Sequence, residues 1–104
     1  MKQYTVIFSP RAEAHLDNIY AYIAERGGED RAERFISGII DFCKGFSTFP
    51  ERGTKRDDIR RNLRTIGYKR HTTIAFAVQN DRVIIHGVFY GGQDYAAELQ
   101  EDSD

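Results

Sequence analysis

The hydrophobic positions follow two rhythms in turn, one of period two and one of period near 3.6. Residues 2 to 8 are rich in β-branched and aromatic types, and Tyr4, Val6 and Phe8 fall on one face, which predicts a strand. Ser9 and Pro10 then supply a hydroxyl N-cap and a proline at the first helical position, where a missing N–H costs nothing. Ala12, Leu16, Ile19, Tyr20 and Ile23 recur at offsets of 0, 4, 7, 8 and 11, the stripe of an amphipathic helix. Gly27-Gly28 ends it. A second helix is predicted from about Glu29 to Phe46, with Ala32, Phe35, Ile36, Ile39, Ile40, Cys43 and Phe46 facing the core. The glycine link between them makes a helical hairpin.

The second helix carries another stripe. Gly38, Phe42, Gly45 and Phe49 stand at offsets of 0, 4, 7 and 11, provided the helix reaches Phe49. Glycine inside a helix costs about 1 kcal/mol against alanine, so two on one face imply a close neighbour. Either the protein's own sheet packs there, or the stripe forms a groove for a partner's helix.

After Pro50 and Gly53 the period returns to two. Residues 59 to 66 read as an arginine-rich strand, in which alternation turns Leu63 inward and Arg60 and Arg64 outward. Residues 71 to 78 form a strand with Ile74, Phe76 and Val78 on one face. Asn80-Asp81 is a hairpin turn signal. Residues 82 to 90 are apolar on both faces, as an interior strand would be. The predicted class is α+β: an N-terminal strand, a helical hairpin and a three-stranded antiparallel meander, β-α-α-β-β-β. One domain spans residues 1–96, and the acidic residues 97–104 are expected to form a disordered tail.

Seven Phe, six Tyr and no Trp make the expected core aromatic. Cys43 is the sole cysteine, so no intrachain disulfide can form; it reads as a buried inert thiol in a reducing compartment. No secretory pattern occupies residues 1 to 9 and no apolar run is long enough for a membrane span, so a cytoplasmic protein without a membrane partner is expected. The net charge of −1 conceals an asymmetry. Between Glu51 and Arg70 eight basic and three acidic residues give +5, whereas Asp94 to Asp104 holds five acids and no base.

Few kinds of chemistry are indicated. His15, His71 and His86 lie far apart and Cys43 has no companion at ligand spacing, so no metal site is expected. The nucleophile elbow, the phosphate-binding loop and the dinucleotide fingerprint are absent, and neither catalytic residues nor a cofactor are assigned. The basic zone is the one functional signal. Arg60, Arg61, Arg64, Lys69 and Arg70 surround Tyr68, a set able to bind phosphates or acidic protein segments. The alternative is an edge strand guarded against aggregation by its charges.

Local patterns in a fixed order give the chain a resemblance to the RelE/ParE superfamily, and within it to the ParE branch. They are Tyr4 to Pro10 with Ala12; Leu16, Ile19, Tyr22 and Ile23; Ala32 and Phe35; Phe49-Pro50 with Gly53; Leu63-Arg64; Thr73 to Val78; and Val88-Phe89-Tyr90 before Gly91 and Asp94. The resemblance covers about residues 3 to 96. It implies the toxin component of a type II toxin–antitoxin system that inhibits DNA gyrase by binding and is neutralised by a ParD-like antitoxin, with no sequence-specific DNA binding by this chain. Target-binding residues would be Arg60, Arg61, Arg64, Tyr68 and Tyr90. The antitoxin would dock on Tyr22, Gly38, Phe42, Gly45 and Phe49, with Arg64 and Arg70 taking its acidic residues. Two other activities stay open. One is ribosome-dependent mRNA cleavage of the RelE type, for which Arg61, Arg64 and Tyr90 are the local candidates. The other is an inactive homologue that only binds antitoxin. The chain departs from the RelE pattern at Gly87, where a family arginine is expected, and at Gly92-Gln93, which replace an often basic pair.

Overall fold

A computed structural model describes residues 2–69, 71–91 and 95–101. Strand β1 (Thr5–Phe8) leads into helix α1 (Pro10–Gly27) and helix α2 (Glu29–Lys44), which ends in a 3-10 turn (Gly45–Ser47). Strands β2 (Thr54–Lys55), β3 (Leu63–Gly67), β4 (Thr72–Gln79) and β5 (Arg82–Tyr90) follow, and helix α3 (Tyr95–Glu101) closes the order. The five strands form one mixed sheet in the order β1-β5-β4-β3-β2, parallel only where β1 meets β5. The expected α+β arrangement is present, with a fifth strand added.

The caps follow the sequence. The Ser9 side chain accepts the Ala12 N–H at 3.1 Å, with Pro10 at the first helical position. α1 and α2 bury Leu16, Ile19, Ile23, Ile39 and Cys43 against Ile74, Phe76, Val83, Ile85 and Val88 of β4 and β5. Phe46 is wholly buried in the same core. Across β4 and β5 the register shifts once, so that Ala75 pairs with Gly87 and Phe76 with Ile85, leaving His86 as the extra residue of a bulge.

Burial of Cys43 pushes its thiol up to about 12. At pH 8 only about one molecule in ten thousand would carry the reactive thiolate. A disulfide dye is therefore expected to label the native protein negligibly and to react with one equivalent of thiol once guanidinium unfolds it; prompt labelling of native protein would contradict this packing.

Three sequence expectations need correction. The strand predicted over 59–66 begins only at Leu63, because the chain turns first. Asp57 accepts the Asn62 N–H at 2.8 Å, Leu63 N donates to Arg60 O at 3.1 Å, and Asn62 adopts a left-handed φ of 66°. Arg60 and Arg61 consequently lie in turns, not on a strand.

The tail expected to be disordered from residue 97 is helical to Glu101. Leu99 is completely buried with Ile59, Leu63, Ala75 and Phe89. By strand alternation this second cluster occupies the sheet face opposite the helical hairpin. The boundary placed after residue 96 thus falls inside α3, and residues 102–104 lie outside the described residues.

The second stripe of α2 does not run to Phe49. The helix gives way at Gly45, where the Arg52 guanidinium takes the Gly45 and Phe49 carbonyls at 3.1 and 2.6 Å. The Gly45 carbonyl also accepts the Thr48 and Phe49 N–H groups, so Arg52 closes off the last turn of the segment.

Candidate partner-binding site

β1 covers β5 only from Arg82 to Ile85, and β5 continues to Tyr90. Over that extension α1 takes the place of a strand. Ser9 N donates to Ile85 O at 3.0 Å, and its hydroxyl to His86 O at 3.3 Å. Val88 N donates to His15 Nδ1 at 3.0 Å. An N–H can only donate, so Nδ1 is the acceptor nitrogen, and Nε2 carries the proton given to Glu98 Oε2 of α3 at 2.9 Å. His15 thereby ties α1, β5 and α3 together. It also closes the site of the family arginine. A Cβ at Gly87 would stand 2.7 Å from the Phe89 ring and 3.1 Å from the His15 ring, leaving no room for a side chain.

Beyond His15 the surface opens. Tyr22 is 48% exposed, one of two large hydrophobic side chains so placed among the described residues. Its ring meets Tyr90 edge-on at 5.7 Å. Two cavities flank this contact. One, of about 280 Å³, is walled by His15, Asn18, Ile19 and Val88. The other, of about 240 Å³, is walled by Ile23, Arg26, Arg31 and Phe35. The Arg26 guanidinium lies 3.8 Å from the centre of the Tyr22 ring and donates to Glu25 at 3.2 Å. From Tyr90 an aromatic row continues through Phe35 (5.6 Å), Tyr68 (6.1 Å from Phe35), Phe42 (5.0 Å) and Phe46 (5.5 Å).

The row explains where the expected site residues stand. Tyr68 lays its hydroxyl over Gly38, 2.4 Å from where a Cβ would be. A side chain at residue 38 would force the Tyr68 hydroxyl, and with it the ring beside Phe42 and Phe35, to shift. Gly45 is covered by Arg52, whose guanidinium lies 3.5 Å from the corresponding Cβ position. The furrow expected along Gly38, Phe42 and Gly45 is therefore filled by the protein's own Tyr68 and Arg52. Phe49 is 61% exposed and stands apart from it, beside a separate cavity with Lys2, Tyr4 and Pro50. Tyr22 and Tyr90 come together; Tyr68 joins them through Phe35.

The basic zone is divided by its own contacts. Leu63 faces inward as expected, but toward the α3 side, which turns Arg64 toward the hairpin side, where Nη1 donates to Arg52 O at 3.2 Å. Arg56 grips Asp58 through two bonds of 3.0 and 2.9 Å and reaches the Tyr95 hydroxyl at 3.0 Å. That guanidinium holds the Asp58 carboxyl below the usual carboxylate range, while Asp58 and Tyr95 raise Arg56 further. Arg61 is exposed in its turn, and Arg70 lies outside the described residues, as do Gly92 and Gln93. The basic residues from Arg52 to Arg64 are thus spread over both sheet faces.

His15, Arg26 and Arg31 were not singled out by the sequence. Arg26 carried a usable signal, since it stands four residues after Tyr22, the spacing at which helical side chains meet. His15 gave none, because its partners are distant in the chain.

A family model described as the ParE toxin of a type II toxin–antitoxin system, parDE, matches residues 6–95. The chain belongs to the ParE toxin family. A solved structure from the chromosomal ParDE TA system of P. aeruginosa superposes on this ParE-family chain with a TM-score of 0.75 at 20% identity, covering 86% of this chain and 97% of that one. At that identity the likeness shows the shared fold. No curated protein matched the sequence. No helix among the described residues of this ParE-family toxin is long and apolar enough to cross a membrane, and no group of His, Cys, Asp and Glu among them could hold a metal ion.

Proposed function

We propose that this chain acts by binding, inhibiting DNA gyrase in the cytoplasm, and that a ParD-like antitoxin neutralises it by direct contact. Family membership supplies the toxin class. The observation favouring a binding toxin over an mRNA-cleaving one is the separation of the candidate catalytic groups. Arg64 pairs with Phe76, which pairs with Ile85, whereas Tyr90 lies five residues further along β5. Because His86 is bulged, Tyr90 stands opposite Thr72, four residues from Phe76 along β4, so the offset is roughly 13 Å along the strands, and two strand spacings add about 10 Å across the sheet. Backbone positions that far apart, with Arg64 engaged at Arg52 O, disfavour convergence of the two groups on one scissile phosphate, where stabilising contacts act within about 3 Å. Arg61 sits in an exposed turn before β3.

On this reading the antitoxin contacts Tyr22 and the neighbouring aromatic row, and the exposed Phe49 is a separate contact. The surface open to gyrase includes Arg60, Arg61 and Tyr68. Purified chain is expected to inhibit supercoiling by gyrase and to leave translated mRNA intact on ribosomes. Addition of the protein encoded beside its gene should restore supercoiling. Cleavage of ribosome-bound mRNA, abolished by Arg64→Ala, would replace this reading with the RelE-type one. Neither activity, together with harmless overexpression, would indicate a homologue that only binds antitoxin.

A further inference from the structure

His15 joins three elements, and both of its ring nitrogens are committed. Nδ1 accepts the Val88 N–H of β5 at 3.0 Å, and Nε2 donates to Glu98 Oε2 of α3 at 2.9 Å. A neutral imidazole fills these two roles, one acceptor and one donor. The doubly protonated ring has no acceptor, so it sets a second N–H against that of Val88. The ring has little room to turn away. Phe89 lies 4.8 Å from it, centre to centre, and the Cβ position of Gly87 is 3.1 Å from the His15 Cε1 atom. The side chain is only 13% exposed, so water offers the extra N–H little relief.

We propose that His15 is a proton-operated catch on the end of β5: neutral, it binds α1, β5 and α3 into one unit; protonated, it keeps Glu98 and lets Val88 go. Imidazole is the side chain that changes charge between about pH 5 and 8. The tie to Val88 is therefore complete at neutral and alkaline pH and is lost as the pH falls through that range. The groups around the ring decide which contact survives. Glu98 on α3 attracts the ring once it is positive, which turns their hydrogen bond into an ion pair. Arg11, one turn earlier on α1, lies 3.7 Å from the same Glu98 oxygen and repels that charge. The facing stretch of β5, Gly87 to Phe89, brings no ionisable side chain; its ionisable neighbours along the strand are His86 and Tyr90. Tyr22 and Tyr90 wall the cavity beside the ring, and phenols as a class are uncharged at about pH 5–8. Release at Val88 acts on what lies beyond it. Tyr90 follows two residues later, and its ring meets Tyr22 of α1. Acid thus loosens β5 from α1 at that contact while α3 stays docked through Glu98 and Leu99.

The test follows the isotope-labelled full chain by NMR between about pH 7.5 and about pH 5.5. At the upper end, the long-range nitrogen couplings of His15 are expected to show a bare Nδ1 and a protonated Nε2. As the pH falls, the Val88 amide, corrected for the intrinsic pH dependence of exchange, should lose about tenfold in protection, as for one hydrogen bond. Cross-relaxation between the Leu99 methyls and the Phe89 ring should persist throughout. His15→Asn places an amide oxygen near the position of Nδ1 and takes up no proton, so Val88 should stay protected over the whole range. A merely structural histidine would leave the two Val88 profiles parallel, and parallel profiles would overturn the proposal. So would a flat Val88 profile in the unaltered chain, a protonated Nδ1 at about pH 7.5, or loss of the Leu99–Phe89 signal together with Val88 protection. These last three are read without any variant, so they decide the matter even where His15→Asn fails to fold.

Discussion

Phe46→Ala is expected to bring the domain close to global unfolding at room temperature. The ring is fully buried at the end of the helical hairpin, 4.6 Å from Phe76 and 5.5 Å from Phe42, with the Arg52 guanidinium 5.4 Å from its centre. Removing a buried phenylalanine costs about 3–5 kcal/mol, and domains of this size have about 5–15 kcal/mol in total. The loss should exceed the simple transfer term. The ring joins the aromatic row to the sheet, so its removal also loosens Phe42 and, through it, the Tyr68 ring seated over Gly38. Phe49→Ala is the internal control. It changes the same residue type three positions later, at a site 61% exposed, and should move stability by no more than about 0.5 kcal/mol. Urea denaturation followed by circular dichroism would compare the two. Equal midpoints would mean that the hairpin does not end as described.

Leu99→Ala is the second large expectation, at about 2–5 kcal/mol. The side chain is fully buried against Ile59, Leu63, Ala75 and Phe89 on the face away from the hairpin. It is held there by the neighbouring Glu98, whose carboxylate meets His15 at 2.9 Å and Arg11 at 3.7 Å. The adjacent Gln100 is exposed, and Gln100→Ala should be nearly silent. Thermal melts of the two variants decide the matter, because a frayed C-terminus would make them indistinguishable.

Much of the fold could be read from local signals. Ser9-Pro10, Gly27-Gly28 and Asn80-Asp81 act within a few residues, and the stripe from Ala12 to Ile23 needs only its own periodicity. The errors arose where distant partners override local pattern. Residues 59 to 62 alternate like a strand, but Asp57 captures the Asn62 N–H and forms a turn. The C-terminal residues look too acidic to fold, yet Leu99 finds a hydrophobic cluster assembled from β3, β4 and β5. The site was less legible still. Tyr22 and Tyr90 stand out as aromatics, but nothing in the sequence says that they touch. The glycines of α2 signalled a close approach correctly; that the approaching groups are Tyr68 and Arg52 of the same chain depends on the path of the loop and turn. The +5 segment was real as charge, but charge counts ignore what guanidiniums bond to, and Arg52, Arg56 and Arg64 are engaged by groups of the same chain.

One feature of the sheet bears on synthesis. Thr5 to Phe8 form their strand solely by lying alongside Arg82 to Ile85, the parallel pair at the sheet edge. Thr5 to Phe8 must therefore wait until Arg82 to Ile85 have been translated before they can settle. Such long-range closure is slow compared with the local folding of a helical hairpin. During translation the hairpin can form early while the strand beneath it is missing, so a ribosome-bound chain would present Tyr22 before Tyr90 exists to pack against it. A nascent toxin of this design therefore shows one half of its Tyr22–Tyr90 contact before the other half is made.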